Sequence, residues 1–491
     1  MNKQNRNRVI LLGSILGVLV FICIVSVFFQ PYKIGQEYRG LKDYSEENGT
    51  QMISFTINDF KISVDTYQDG ATYNTAWLSS EQATNITIGT FSGCKMQING
   101  IPVQSGGTVS LQLNALRKDN NITVELQDTR TDWKHKFYIR TLPDTFPEFD
   151  VPTSRPNAGG NLCFALDNYL VKMDHKGNVL YYRASNGASD FRQIKQNGKT
   201  RYTFMEATGK VLVQSPELPA YKAVVLDEHY NVIDIVSADT DGRGLCQYGF
   251  VYVDDGHYIV ASAKGQTQSS LPKTVAHNTL GVRVVCNYIQ EIEKGKRLWQ
   301  WDSASDTTLF AYSAAGNDYY NQNTLYADYV HLNDLELDPT DGSVICSLQN
   351  QNALLKLNRK NGIRVWLLGG KGDNFGLADI QKFYKQAQFS VRPNGFIDIF
   401  ASNKSGQSKA FIYNPKNSII TEKFIGQHQK SKLYGSVCTN NAGKYIISWG
   451  ISETPGMLLT EINESTGLTS FELLKVDPGA NYYIDRAYPA D

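Results

Sequence analysis

The 491-residue sequence has no excess of either charge, because its 48 Lys and Arg balance its 48 Asp and Glu. Nothing therefore favours a nucleic-acid partner, and we expect none. Its seven cysteines include no C-x-x-C pair, which argues against a zinc site or a disulfide framework. The seven histidines are dispersed, and neither H-E-x-x-H nor G-x-S-x-G occurs. We expect no metal and no cofactor.

Long apolar runs are absent except at the N-terminus. Residues 9–29 are an uncharged apolar run of 21 residues, preceded by Lys3, Arg6 and Arg8. About 20 such residues cross a bilayer as a helix, and a positive flank stays in the cytoplasm. The pattern predicts a single-pass signal anchor in the cell membrane, with residues 1–8 inside and the bulk of the chain on the extracytoplasmic side. A cleaved signal peptide is the alternative, but no small-residue cleavage site follows the run.

After a polar stretch at 30–49, predicted as a stalk, the sequence has the periodicity of β-structure. Short segments between residues 50 and 149 alternate apolar and polar side chains, and turns such as Asn99-Gly100 and Gly106-Gly107 separate them. These segments are residues 53–57, 85–88, 95–98, 108–111, 122–126 and 136–140. The pattern predicts a small β-sandwich domain over residues 50–149.

Residues 150–491 contain an internal repeat whose two parts alternate in six copies. The first part is a turn followed by a strand, beginning at residues 159, 197, 255, 341, 394 and 442. The second part is a pair of strands, beginning at Tyr169, Lys222, Tyr288, Ala353, Ala410 and Met457. Units of about four strands must pack face to face to bury their sheets. The sequence thus predicts an all-β fold with a six-bladed β-propeller around a central channel. An array of sandwiches is the alternative, and residues 311–329 are predicted to form a loop over one channel end.

The most informative segment for function is Asp-Tyr-Val-His-Leu-Asn-Asp at 328–334. On a strand, His331 and Asn333 share a face, and Gln349 follows 18 residues later, after the next turn and strand. An imidazole and two amides could together hold an anion or a polar ring. The alternative is that His331 is a hydrogen-bonded channel residue without a catalytic role.

Four passages resemble the arylsulfate sulfotransferase family of bacterial six-bladed propellers with an N-terminal β-sandwich. They are Ile-Arg-Thr-Leu-Pro-Asp-Thr-Phe-Pro at 139–147, Asp-Tyr-Val-His-Leu-Asn at 328–333, Val-Trp-Leu-Leu-Gly-Gly-Lys at 365–371 and Ile-Ile-Ser-Trp-Gly at 446–450. The resemblance implies transfer of a sulfuryl group from an aryl sulfate to a phenol. It also implies a channel histidine that is transiently sulfated, with further histidines and an arginine stabilising the developing charge.

The family's catalytic residues carry over to this sequence only in part. His331 and Asn333 match the supporting histidine and asparagine of the family. Ala387, within Gln-Ala-Gln at 386–388, stands where the resemblance places the nucleophile, and Gln349 stands where it places the arginine. A further family histidine is matched by the run Gln-Tyr-Gly at 247–249. His428 is predicted to lie in an outer connection, away from the channel.

We therefore expect a membrane-anchored propeller that has lost or weakened sulfuryl transfer. It would still bind a small aromatic or anionic ligand, such as an aryl sulfate or a phenol, in its channel. The expected catalytic residues are His331 and Asn333, and the expected ligand-binding residues are Gln349, Tyr248, Gln247 and Gln386. Two alternatives stay open: an active sulfotransferase that uses His331, and a cell-surface interaction protein that uses the sheet rims and the 311–329 loop.

Overall fold

A computed structural model describes residues 54–490, apart from a set of short gaps. The gaps are residues 58–59, 62–71, 76–82, 90–93, 113–120, 130–133, 143–144, 156–159, 176, 178, 186, 270, 273–274, 276–280, 315–318, 320–324, 424–429 and 441. The predicted anchor, the stalk and His428 lie outside the described residues. Within the described residues, no helix combines the length and hydropathy needed to cross a membrane.

The chain divides into two units, residues 1–145 and 146–491. The first unit contains two sheets with strand orders β2-β1-β4-β7 and β3-β9-β8-β5-β6. Its strands are β1 Ser54–Ile57, β2 Phe60–Lys61, β3 Thr72–Thr75, β4 Ala83–Gly89, β5 Cys94–Ile98, β6 Ile101–Val103, β7 Thr108–Gln112, β8 Asn121–Asp128 and β9 Lys134–Thr141. In β8 the alternating residues Ile122, Val124 and Leu126 are buried, so the period-two pattern marks one buried face of this sheet.

The second unit is almost entirely antiparallel β-sheet. Its first strands are β10 Phe149–Ser154, β11 Asn161–Leu166, β12 Tyr169–Asp174, β13 Val179–Ala184, β14 Ala188–Gln196, β15 Lys199–Gln214, β16 Glu217–Leu226, β17 Val232–Val236, β18 Leu245–Asp254, β19 His257–Gln268, β20 Val282–Glu293 and β21 Lys296–Asp302. One-turn helices occur at Leu309–Tyr312 (α1), Gln349–Gln351 and Asp379–Gln381.

The remaining strands complete four sheets and one short pair. They are β22 Leu332–Leu337, β23 Val344–Leu348, β24 Ala353–Leu357, β25 Arg364–Gly369, β26 Tyr384–Val391, β27 Ile397–Ser402, β28 Ser408–Asn414, β29 Ile419–Lys423, β30 Ser431–Leu433, β31 Ser436–Thr439, β32 Lys444–Ser448, β33 Ile451–Ser452, β34 Met457–Asn463, β35 Thr469–Lys475 and β36 Ala487–Ala490.

The sheet orders follow the predicted repeat. They are β36-β11-β12-β13, β14-β15-β16-β17 joined edge to edge with β18-β19-β20-β21, β22-β23-β24-β25, β26-β27-β28-β29 and β31-β32-β34-β35-β10. Every predicted turn-and-strand copy falls on the second strand of a group, and every predicted strand pair falls on the two strands after it. The first strand of each group lies outside this repeat, although the segment with His331 and Asn333, at β22, was predicted to be a strand.

Each of these first strands contacts the first strands of the two neighbouring groups. β14 contacts β36 and β18, β22 contacts β18 and β26, and β31 contacts β26 and β36. The C-terminal strand β36 pairs with β11, with Asn161 opposite Ala490. The C-terminal strand is therefore held in one sheet with β11, while β10 pairs with β35, and the first strands surround a common interior.

Apolar clusters between neighbouring sheets form the core. The largest cluster packs β19 and β20 against β22–β25, and a second packs β24 and β25 against β27 and β28. Four cysteines, Cys163, Cys286, Cys346 and Cys438, are buried and free and pack as small apolar residues. Burial raises the pKa of the Cys163 thiol to about 12, so it is not a reactive thiolate at neutral pH.

Candidate functional site

A cavity of about 300 Å³ is lined in part by residues of the first strands β18, β22 and β26. One side is aromatic and apolar, with Tyr221, Tyr434 and Leu218 among its residues. The other side is polar and carries His331 and Arg486. Five of the six predicted site residues line it: Gln247, Tyr248, His331, Asn333 and Gln349. Sequence positions more than 200 residues apart thus contribute to one cavity.

His331 is held by Asp328 at two points. One carboxylate oxygen accepts the His331 backbone N–H at 3.0 Å, and the other lies 2.6 Å from the imidazole Nδ1. His331 does not lie on a strand as predicted; it precedes β22 with a left-handed φ of 51°. Such a conformation is costly for a residue with a side chain and persists where its surroundings fix it. Here the paired carboxylate fixes it, and 34 % of the His331 side chain stays exposed.

The charge state of His331 follows from two opposing effects. Burial lowers the pKa of the imidazole, but the Asp328 carboxylate outweighs burial and raises the pKa above 6.5. The nearby Lys385 ammonium opposes this rise. With Nδ1 donating to Asp328, Nε2 is the ring nitrogen left for a ligand, as a donor when protonated and as a lone pair when neutral.

Asn333 lines the cavity at an irregularity in the pairing of β22, and not because side chains alternate between the two faces of a regular strand. The pairing of β22 with β23 shifts between Leu332 and Asp334, so Asn333 has no opposite partner, and residues 331, 332 and 333 all line the cavity. Its Nδ2 donates to the backbone carbonyls of Gln386 at 2.8 Å and Ala387 at 3.4 Å. These two bonds direct the amide nitrogen of Asn333 towards the backbone of β26.

Gln349 and Gln386 have different positions despite their similar predicted roles. Gln349 lines the cavity and donates one N–H to the Gln386 carbonyl at 3.1 Å. The Gln386 side chain is fully buried and donates to the carbonyls of Leu348 and Ala353. It is not among the residues that line the cavity. Its backbone carbonyl, shared by Asn333 and Gln349, is what it contributes to the site.

Ala387 also lines this cavity, beside the position of Asn333. The residue at the nucleophile position of the resemblance therefore borders the same cavity as His331, and it also packs against an apolar cluster that includes Phe400 and Val437. Among the described residues, His331 is the one histidine in the lining. His175 and His257 are instead paired with Glu461 and Glu291, outside the cavity.

Arg486 is a cavity residue that the sequence analysis missed. It lies immediately before β36 and is 1 % exposed. Nη1 forms a 2.7 Å ion pair with Asp334, and Nη2 donates to the carbonyls of Asn333 and Ala387 at 3.0 and 3.2 Å. Burial opposes its charge, but the Asp334 carboxylate outweighs this and keeps the pKa of Arg486 above its usual value. Its terminal nitrogens are thus committed to the protein.

Tyr248 and Asp485 line the cavity next to Arg486. The Tyr248 hydroxyl donates to an Asp485 carboxylate oxygen at 3.1 Å. Burial raises the pKa of Asp485 to about 6, against the opposing effect of Arg486. Burial and the Asp485 charge also raise the pKa of Tyr248 well above its usual value, so the phenol stays protonated. The cavity therefore contains an imidazole whose pKa Asp328 raises, at His331, and a carboxyl group whose pKa burial raises to about 6, at Asp485.

No group of three or more His, Cys, Asp or Glu side chains within the described residues has the arrangement needed to hold a metal ion. The polar side of the cavity instead offers an imidazole, amide groups and carboxyl groups. This arrangement can bind a polar or anionic group through His331, and Asp485 can exchange a proton near pH 6.

Comparisons with known proteins give one family assignment. The profile of the Arylsulfotransferase (ASST) family matches residues 122–417, which include His331, Asn333, Gln349 and Ala387. No curated protein matches this chain significantly.

Several solved structures show distant similarity. A protein of unknown function from Bacteroides caccae has 10 % identity and a TM-score of 0.38, over 67 % of this chain and 99 % of that one. TolB from Acinetobacter baumannii has 11 % identity and a TM-score of 0.38, over 75 % and 78 %. A quinonprotein alcohol dehydrogenase-like protein from Bacteroides thetaiotaomicron has 10 % identity and a TM-score of 0.36, over 89 % and 99 %.

Proposed function

This chain belongs to the arylsulfotransferase family, and from that premise we propose that its cavity binds a small aromatic ligand, an aryl sulfate or a phenol, while sulfuryl transfer is lost or greatly weakened. The observation that carries the proposal is the cavity lining itself. His331, Asn333, Gln349 and Ala387 meet there, with a methyl group at the nucleophile position.

The aromatic and apolar side of the cavity suits a planar ring. Tyr221, Tyr248 and Tyr434 line it together with Leu212 and Leu218. A ligand ring can pack edge-to-face or offset-stacked against these tyrosines. Each such pair contributes about 0.5–1.5 kcal/mol in addition to the free energy of burying apolar surface. A cavity of about 300 Å³ is at the small end of the range for small-molecule sites. One aromatic ring with a polar substituent fits this space.

The polar substituent is assigned to the side that carries His331. As an imidazolium, His331 offers an Nε2–H donor with a positive charge. Arg486 lines the same side, but its terminal nitrogens are engaged by Asp334 and by two carbonyls. Within the described lining, His331 is therefore the cationic donor available to a sulfate or phenolate oxygen.

Transfer is expected to be weak for two reasons. A sulfated intermediate needs a nucleophile with a lone pair, and the Ala387 methyl has none. Charge on the sulfuryl oxygens needs donors placed in advance, and losing one such donor typically costs about 2.7–4 kcal/mol of barrier. Gln349 carries no charge at the arginine position, and the amide nitrogen of Asn333 is directed towards the backbone of β26.

The test is incubation of the full chain, in detergent, with 4-nitrophenyl sulfate and a phenol acceptor. We expect saturable binding of 4-nitrophenyl sulfate and of 4-nitrophenol, with at most trace release of 4-nitrophenol. His331→Gln should weaken binding of the sulfate more than binding of the phenol. Steady turnover that disappears in His331→Ala would refute the loss of transfer, and absence of binding would refute the ligand site.

A second candidate is an active sulfotransferase that uses His331, and the Asp328–His331 pair favours it. A carboxylate that holds Nδ1–H leaves the Nε2 lone pair directed away from it, as in the histidines of catalytic triads. Nε2 would bond to sulfur as the bond from sulfur to the aryl oxygen breaks. Mass spectrometry of a trapped peptide with a sulfated His331 would support this candidate, and an unmodified peptide after excess donor would exclude it.

We further propose that the six strand groups of the second unit are the blades of a closed propeller and that the two sheets of the first unit form a β-sandwich. The contacts of the first strands and the pairing of β36 with β11 support closure. Residues 9–29 would anchor the chain, with the cavity on the extracytoplasmic side. Resistance of the full chain to alkaline extraction from membranes, and its loss on deleting residues 1–30, would test the anchor.

A further inference from the structure

A second, more polar cavity of about 180 Å³ adjoins the first. The two share four residues of their walls: Tyr221, Gln247, Tyr434 and Asp485. Because the same four residues line both spaces, the two cavities are direct neighbours, close enough for parts of one ligand to lie on either side of these residues. At about 30 Å³ for each molecule of liquid water, the second cavity has room for about six waters.

The lining of the second cavity combines aromatic rings with hydrogen-bonding side chains. Tyr434 and Tyr483 are stacked, with ring centres 5.3 Å apart and planes 8° from parallel. Asp167, Gln247 and Asn481 add carboxylate and amide groups. Among the described residues, the side chains of Gln247 and Asn481 make no hydrogen bond, so both are available to a ligand.

The charged side chains described in this lining are all acidic. Two carboxyl groups, Asp167 and Asp485, face the space, and no Lys or Arg is among its described lining residues. Carboxylates accept hydrogen bonds, so they select a ligand group that is rich in donors and disfavour an anion. The first cavity also has carboxyl groups, at Glu217, Asp328 and Asp485, but its lining includes His331 and Arg486, and the second cavity has no such cationic residue among its described lining residues.

We propose that the second cavity is a subsite for one neutral sugar ring attached to the aromatic ring in the first cavity, which makes aryl hexosides a ligand class of this protein. A hexose presents several hydroxyl donors to Asp167, Gln247 and Asn481, and its C–H face packs on a tyrosine ring. The sugar is placed next to the aromatic wall because Tyr221 and Tyr434 border both spaces. This inference rests on the proposed function, since the aromatic ring is the part held in the first cavity.

The experiment is calorimetric titration of the full chain in a detergent without a sugar headgroup. The probes are 4-nitrophenol, 4-nitrophenyl β-D-glucopyranoside, 4-nitrophenyl β-D-glucuronide and tyramine. One or two added hydrogen bonds predict that the glucoside binds about tenfold more tightly than 4-nitrophenol. The glucuronide should bind more weakly than the glucoside because its carboxylate meets Asp167 and Asp485.

Two substitutions test whether the tighter binding of the glucoside arises in the second cavity. Asn481→Ala and Asp167→Asn change residues that line this cavity and not the first. Together they should remove the advantage of the glucoside and leave the Kd of 4-nitrophenol within twofold. Lys416→Ala, at an exposed turn between β28 and β29, is the matched control and should change neither affinity.

The outcomes separate this inference from the proposed function. A glucoside that binds no better than 4-nitrophenol, or a gain that survives the double variant, overturns the sugar subsite alone. Tyramine that binds more tightly than the glucoside, with the advantage lost in Asp167→Asn, overturns it in favour of an amine site. If neither 4-nitrophenol nor 4-nitrophenyl sulfate binds, the proposed function fails and the subsite fails with it.

Discussion

The guanidinium carbon of Arg486 lies 3.5 Å from the centre of the Tyr248 ring. This contact joins the residue before the C-terminal strand to an inner strand that begins some 240 residues earlier. A cation over an aromatic face contributes about 0.5–2 kcal/mol, more when both groups are buried. With its terminal nitrogens bonded to Asp334 and to two carbonyls, Arg486 fixes the floor of the cavity instead of presenting donors to a ligand.

Arg486→Ala is expected to reduce the free energy of unfolding by about 3–5 kcal/mol, because it leaves the buried Asp334 carboxylate without its partner. Chemical denaturation monitored by tryptophan fluorescence measures this change. Arg297→Ala is the control, since Arg297 is 41 % exposed and its ion pair with Asp241 should contribute at most about 1 kcal/mol. Equal losses for the two variants would contradict a structural role for Arg486.

The sequence predicted the outer part of each strand group better than the inner part. Copies of the repeat, such as the one that begins at residue 341, are nearly continuous apolar runs because both faces of β23 and β24 pack against neighbouring sheets. The inner strands carry polar residues for the interior and lack such runs. At β22 the sequence predicted a strand through His331 and Asn333, but the strand begins at Leu332 and its pairing is irregular at Asn333.

The site was predicted in part for a related reason. Motif resemblance located His331, Asn333, Gln349 and Ala387, and all four line the cavity. The left-handed φ of His331 and the bulge at Asn333 are local geometry that strand periodicity does not predict. Arg486 was missed because its position depends on the pairing of β36 with β11, a contact across more than 300 residues that leaves no local pattern.

Asp328→Asn is expected to lower the pKa of His331. The Asp328 carboxylate is what raises this pKa against burial, so its removal leaves burial as the dominant effect. An NMR titration that follows the His331 imidazole proton measures the change. Asp379→Asn, at an exposed one-turn helix, is the control and should leave the His331 titration unchanged. An unchanged pKa in Asp328→Asn would show that the pair does not set the charge of His331.

Binding of 4-nitrophenyl sulfate is expected to weaken as pH rises from 5 to 8. Above about pH 6 Asp485 becomes negative, and above its raised pKa His331 loses its positive charge, so both changes disfavour an anion. The loss of one such interaction corresponds to about fivefold in Kd, or ~1 kcal/mol. Titrations across this range should show a smaller pH effect in His331→Gln and no step near pH 6 in Asp485→Asn. An affinity that rises with pH would contradict this assignment of charges.

Restoring an imidazole at position 387 is the most direct test of why transfer is weak. Ala387 lines the cavity, and its carbonyl is held by Arg486 and Asn333, so the backbone at this position is already fixed. Ala387→His would place a second ring near His331 and supply the missing lone pair. We expect release of 4-nitrophenol from 4-nitrophenyl sulfate to rise at least about tenfold, equivalent to 1.4 kcal/mol of barrier. Ala387→Gln adds comparable bulk without a nucleophile, and it should give no increase. If both variants bind 4-nitrophenyl sulfate but release 4-nitrophenol no faster than the parent chain, the methyl group at position 387 is not what limits transfer. The missing charge at Gln349 is then the stronger explanation.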